Sequence, residues 1–147
     1  SGPVNLVTIS STGSINLASG TNTLLTYSNP LFVNGVISGS GNLTKSGNDL
    51  LTLAGTNTYS GATNINAGTV SISSSANLGD GSVTNNLTFN GGTLTKTGSF
   101  STARTINMIG NGTINTDANL TVSGVVSGTG ELTKSGSSTL ILTNDNT

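Results

Sequence analysis

The chain contains no cysteine, no histidine and no tryptophan. Without histidine or cysteine, no Ser–His or Cys–His nucleophile pair can form, and no disulfide framework can exist. Secreted globular domains commonly use disulfides. Their absence points either to a reducing compartment or to a fold large enough to need no staples. Charge is almost as scarce: Lys and Arg total 4, Asp and Glu total 5, and the net charge of the 147 residues is −1. That balance leaves no electrostatic footprint for nucleic acid or anionic lipid. Long apolar runs are also missing, and none approaches the ~20 residues of a membrane-spanning helix. The aromatics are 3 Phe and 2 Tyr, so any interior should be narrow and aliphatic. The chain opens SGPVNLV, with neither an initiator Met nor a signal peptide, and is expected to be a mature or excised piece.

What fills the chain is Ser, Thr, Asn and 21 Gly, interleaved with Val, Ile and Leu. High polarity with low net charge lacks the signature of disorder, and scarce helix formers with frequent glycine indicate an all-β chain with many tight turns. Short β runs alternate with turn signals: VNLVTI (Val4–Ile9), INL (Ile15–Leu17), LLTY (Leu24–Tyr27), LFV (Leu31–Val33), NLTK, LLTL, TVSI, NLTF (Asn86–Phe89), TLTK (Thr93–Lys96), RTINM (Arg104–Met108), TIN and LTV (Leu120–Val122). Pro30 forbids a ladder N–H and marks a strand edge or corner. Asn34-Gly35, Asn90-Gly91 and Asn111-Gly112 are strong turn dipeptides.

Strict alternation within these runs predicts facing. Leu43, Leu51, Leu53, Ile65, Val70, Ile72, Leu132, Leu140 and Leu142 should point inward, and Thr44, Thr52 and Thr133 outward.

Part of the chain repeats. Gly35–Thr58 aligns without gaps on Gly124–Thr147, an offset of 89 residues with 14 of 24 positions identical. Self-similarity of this kind signals a repeated structural unit. A shorter recurrence lies beneath it: Leu51 to Val70 and Leu53 to Ile72 are 19 residues apart, Leu94 to Ile114 and Leu120 to Leu140 are 20. A period near 20 suits one coil of a β-solenoid, with about three short strands per coil. About seven coils of roughly 20 residues are expected, stacked at about 4.8 Å, and the 89-residue superperiod should span four or five of them. The domain organisation expected is a single solenoid over residues 1–147, with repeat copies 35–72 and 124–147, the second truncated, joined by 73–123.

The stretch LTKSGNDLLTLAGTNTYSGATNINAGTVSI resembles the passenger-associated strand repeat of bacterial autotransporters. The pattern is met at Gly41, Leu43, Lys45, Gly47, Leu51, Leu53, Gly55, Asn57-Thr58-Tyr59, Gly61, Thr63, Ile65 and Ala67-Gly68-Thr69. LGDGSVTNNLTFNGGTL (Leu78–Leu94) and RTINMIGNGTI (Arg104–Ile114) resemble the segments that join such repeats. Val70 departs from the usual Leu, and Asn144-Asp145 replaces the Gly55-type turn in the second copy. The resemblance implies a right-handed parallel β-helix, exported through the outer membrane and displayed outside the cell, with Tyr59 as a structural corner.

Chemistry-bearing constellations are few. Glycoside cleavage needs two carboxylates about 5–9.5 Å apart, whereas Asp80, Asp117 and Glu131 are widely spread and read as solvated turn acids. A Ca²⁺-binding G-G-x-G-x-D pattern is absent, and Asp80 alone is too little for a hard cation. No catalytic, cofactor or metal residue is assigned. Lys45 and Lys134 recur at equivalent places and are expected to point outward, blunting a flat β face against association. Thr21/Thr23, Thr56/Thr58 and Thr93/Thr95 recur only about every second coil, which disfavours an ice-binding array.

The reading is a non-enzymatic structural and adhesive segment, a stalk or adhesin shaft, with a carbohydrate-binding or carbohydrate-cleaving β-helix as the alternative. Host or neighbouring-cell surfaces are the expected partners. The piece is expected to be an internal slice of a longer solenoid whose uncapped ends self-associate head to tail.

Overall fold

A computed structural model describes residues 13–147 and the backbone of the strand Val7–Ile9; Val4–Leu6 of the first expected strand lie outside the described residues. Every strand pairing is parallel, as a chain that rises one coil at a time requires. Three faces recur in chain order. Face 1 is a seven-stranded sheet of Val7–Ile9, Leu31–Val33, Leu50–Leu53, Thr69–Ile72, Thr93–Lys96, Gly112–Thr116 and Leu132–Ser135. Face 3 is a six-stranded sheet of Thr21–Leu25, Asn42–Ser46, Thr63–Ile65, Leu87–Phe89, Ile106–Met108 and Val126–Gly128. Face 2 holds Ile15–Leu17 and Ile37–Gly39 below, and Phe100–Thr102, Leu120–Val122 and Leu140–Leu142 above. The solenoid makes about 6 turns, close to the seven coils expected.

The middle of face 2 is not strand. Residues 54–62 cross it without regular structure, and the next coil places a 3-10 turn there, Ser75–Leu78, capped by the Ser74 hydroxyl on the Ala76 N–H. Asparagine bridges the gap. Asn57 Oδ1 accepts from the Ile37 N–H at 2.8 Å below, and its Nδ2 donates to the Asn77 carbonyl at 2.6 Å above. Buried backbone groups must find partners, and a side-chain amide supplies a donor and an acceptor where the ladder is interrupted.

The period of about 20 residues is the coil. Leu51 sits under Val70, Leu94 under Ile114 and Leu120 under Leu140. Face 3 lets the superperiod be followed in space: Leu43 lies under Thr63, then Leu87, Ile106 and Val126, four coils up. Leu132, the repeat-equivalent of Leu43, comes six residues after Val126, on face 1. The two copies therefore occupy different faces. Copy one runs over faces 2, 3 and 1; copy two runs over faces 3, 1 and 2.

Local structure survives that rotation. Gly47 and Gly136 are equivalent and have φ of 82° and 80°, a left-handed turn that favours glycine. The bond from the Ile37 N–H to Asn57 Oδ1 reappears as the Val126 N–H to Asn146 Oδ1, also at 2.8 Å.

The interior is a single narrow stack of Leu, Ile and Val with Phe89, Tyr59 and Met108. Leu43, Leu51, Leu53, Ile65, Val70 and Ile72 are buried as alternation predicts. Each such side chain removes enough apolar surface from water to contribute about 1.5–3 kcal/mol. The last coil differs. Leu132 and Leu140 are half-buried and Leu142 is 38% exposed, because no coil among the described residues lies over them. Thr52 and Thr133 face out, but Thr44, on the outer side of its strand, is only 4% exposed. Its Oγ1 accepts from Asn64 Nδ2 of the next coil at 3.1 Å, and neighbours along the row cover it.

Leu51→Ala should lower stability by about 2–5 kcal/mol, since a close-packed stack cannot collapse around the cavity. Thr52→Ala should change it by no more than about 0.5 kcal/mol. Urea denaturation midpoints of the two variants test the facing, and equal shifts would contradict it.

Candidate functional site

Charge-poor sequences place their few charges in solvent by default, and Lys45 was expected there. The structure corrects this. Lys45 alternates inward with Leu43, stacks under Ile65 and is fully buried. The physical reason lies at the corner. Where a strand ends and the chain turns, carbonyls point toward the interior and need donors. Lys45 Nζ donates to Ser46 O at 3.2 Å and Gly47 O at 2.5 Å of its own corner, and to Ala67 O at 3.1 Å of the coil above. Lys96, stacked over Ile72 and under Thr116, does the same for Ala118 O at 2.8 Å and Asn119 O at 2.7 Å, and lies 5.0 Å from the Phe100 ring centroid. Burial lowers the pKa of both ammonium groups, with Asp49 and Asp117 respectively opposing the shift. Thr26 and Thr116 serve neutral versions of this corner: the single hydroxyl hydrogen of Thr116 is shared between Ser138 O at 2.8 Å and Ser135 O at 3.1 Å. Lys134 stacks over buried Ile114, on the inner side of its strand, and makes the own-corner bonds of Lys45, to Ser135 O at 3.2 Å and Gly136 O at 2.7 Å; its exposure comes from its place in the last described coil, so the expectation of outward lysines fails at both positions.

The third buried cation is Arg104. The coil after Thr69–Ile72 is longer than those next to it: Thr63 to Leu87 is 24 residues, where its neighbours on face 3 take about 20. The surplus forms the loop Gly79–Asn86. Arg104 pins it, donating from Nε to Asn85 Oδ1 at 2.9 Å, from one terminal nitrogen to Ser75 Oγ and to Thr102 Oγ1 at 3.3 Å, and from the other to Gly79 O at 2.9 Å. Asn85 Nδ2 ties the loop to Gly61 O at 2.6 Å. Burial pushes the guanidinium pKa down, opposed by Tyr59 and Asp80. Tyr59 itself is buried at a corner, sharing a 2.6 Å hydrogen bond with the Thr63 hydroxyl, and burial pushes its pKa up to about 12.

The acids stay apart from one another. Asp80, Asp117 and Glu131 are exposed in separate turns. Asp80 accepts from the Ser82 N–H at 2.9 Å, and Asp117 from Asn115 Nδ2 at 3.3 Å. Among the described residues no three of Asp, Glu, His or Cys converge as metal ligands.

Asn42, Asn111 and Asn119 begin N-x-T sequons, and each instead accepts from a backbone N–H 20 residues ahead, at 2.9, 3.0 and 3.1 Å. Fixed-distance asparagine was the signal that could have revealed this role.

The three Thr-x-Thr pairs do not share a face: Thr21/Thr23 lie on face 3, Thr93/Thr95 on face 1, and Thr56/Thr58 on the irregular part of face 2. A different alignment exists on face 1. Its outer positions carry Thr69/Ser71, Thr93/Thr95, Thr113/Asn115 and Thr133/Ser135 in register on four successive coils. This strip is uncharged, with hydroxyl or amide groups throughout.

The passenger-associated-transport-repeat matches residues 43–72 and 132–147, the same two segments that the offset of 89 relates. The Adhesin BmaC autotransporter of Brucella suis biovar 1 (strain 1330) is 42% identical over 98 residues, 65% of this chain and 3% of that protein. The chain thus spans a small fraction of the relative it matches. No solved structure matches the chain.

The raised pKa of Tyr59 makes a pH prediction. The folded state keeps its proton above the ordinary value of 10.0, so the stability that rests on neutral Tyr59 is complete below pH ~10 and lost as pH rises toward about 12. The loss should reach roughly 2–3 kcal/mol by pH ~12. Tyr59→Phe should flatten that alkaline decline in urea melts, at the cost of the Thr63 hydrogen bond at neutral pH.

Proposed function

We propose that this chain is a segment of an autotransporter passenger, exported through the outer membrane to the cell surface, and that it acts there as a non-enzymatic adhesive shaft segment. The observation that carries this reading is the uncharged outer strip of face 1, repeated in register on four successive coils of a rigid stack. A surface of hydroxyl and amide groups repeated in register offers many weak contacts at once, and multivalent contact raises avidity without any single strong site. The name of the Brucella relative as an adhesin supports the same assignment. Beads coated with the purified chain should attach to cultured cells or to one another more than beads coated with an unrelated protein. Substituting Thr69, Thr93, Thr113 and Thr133 by Lys should reduce attachment severalfold without unfolding the chain, because all four side chains lie on the outer face. Unchanged attachment would overturn the assignment to this strip.

The same segment self-associates end to end. The last described coil presents Leu132, Leu140 and Leu142 at the end of the stack, a template for another parallel coil. Lys134 supports this: its equivalent, Lys45, uses its third hydrogen bond to hold the coil above. Sedimentation over a wide concentration range should show association, weakened by Leu142→Asp. A strict monomer at all concentrations would refute it.

A further inference from the structure

The three buried cations are not equally satisfied. Lys45 spends three donors on three carbonyls. Lys96 spends two on carbonyls and lies over the face of Phe100. Arg104 is 7% exposed and has five N–H donors, of which the described residues accept four. The remaining one is on the terminal nitrogen that holds Gly79 O. That nitrogen faces Gly81, where a Cβ would come within 3.8 Å of it. Gly81 in turn lines a cleft of about 240 Å³ between loop residues Gly81–Val83 and Asn86 and the segment Ala103–Thr105. Among the described residues no carboxylate makes an ion pair with the guanidinium; Asp80, whose charge acts on it, is exposed and turned to the Ser82 N–H. A buried cation with an unused donor, in the lining of a cleft, is suited to an anionic ligand, because a charge-assisted hydrogen bond there is formed away from bulk water.

We propose that this cleft binds the carboxylate of an acidic sugar, one pyranose ring in size, as the terminal residue of a surface glycan. The volume suits a single ring. Ser82, Asn86 and Thr105 bring hydroxyl and amide groups for ring hydroxyls, and Val83, 94% exposed at the loop tip, offers an apolar surface to the C–H face of the ring. The bidentate geometry of a full Arg–carboxylate fork is not available, since the other guanidinium donors are committed to the loop. Affinity for one sugar is accordingly weak, with a dissociation constant on the order of 1 mM, and useful adhesion follows from many copies on one cell surface. The proposal deepens the adhesive reading and rests on it.

The test is a nitrogen-15 NMR titration of the whole chain with glucuronic acid and with N-acetylneuraminic acid, against glucose, acetate and an acetylated aspartate. At least one acidic sugar should shift the Arg104 Nε–H and the amides of Gly81–Val83 saturably, with glucose at least about tenfold weaker, the loss expected when a charged hydrogen bond is removed. Val83→Asp places a like charge at the rim of the cleft on a fully exposed tip, so folding is preserved and the shifts should disappear. Arg104→Gln should also abolish them, and Val83→Asp keeps the test decisive if that variant loosens the loop. Absence of shifts with both acidic sugars overturns the proposal. Equal shifts with acetate or the aspartate derivative overturn the sugar assignment. Bead attachment measured in parallel separates the two readings: attachment without titration sinks the cleft alone, and titration without attachment sinks the adhesive role.

Discussion

The structure depends on the register of one coil upon the next. Each strand is short, three to five residues, and none would persist as an isolated pair. Stacking seven of them on one face gives every interior strand two parallel partners, and the same register drops Leu, Ile and Val onto one another along the axis. A one-residue slip would turn each aliphatic to solvent and each Thr inward. The near-constant rise of about 20 residues per coil is therefore a packing condition.

A narrow stack with tight corners creates a polar problem inside an apolar column. Corner carbonyls point inward and lie too far from water to be solvated. The chain answers with Thr at the mildest corners and with Lys where two coils must be held at once, and uses Asn where the ladder is interrupted. Burying a cation is costly unless its donors are used, and corner carbonyls use them, those of two successive corners for Lys45 and those of the coil above for Lys96. Four of the nine charged residues are basic, and three of those four lie inside. The outer faces are left still poorer in charge than the composition suggests. That depletion gives face 1 its uncharged strip, the surface on which the adhesive reading rests.

The sequence repeat and the structural repeat are different objects. The repeat re-enters one face further around, with its turn glycines, its Asn bridge and its corner lysine in the same local geometry. Three quasi-equivalent faces make this possible, because each is a short strand between two corners of the same kind. Features that follow a repeat, such as the Gly79–Asn86 loop, take their direction around the shaft from the face on which that repeat happens to fall.

Fold class, strand positions, the coil period and the family resemblance were all legible in the residues, because alternation and recurrence at fixed distance are properties of the chain itself. The inward set from Leu43 to Ile72 was legible for the same reason. The burial of Lys45 was not, although it stands two places from Leu43: alternation put it inside, and the rule that lysine seeks water put it outside. Only the corner carbonyls of Gly47 and Ala67, brought together by two coils, decide in favour of burial. Nor could the hydroxyl rows of face 1 or the cleft beside Arg104 be read along the chain. Their members lie about 20 residues or more apart, and the 24-residue coil shifts them out of any fixed period. Periodicity within the chain determined what stacks. Which side chains meet at a corner or on a face was decided by three-dimensional register, since contact between coils depends on the length of every turn below.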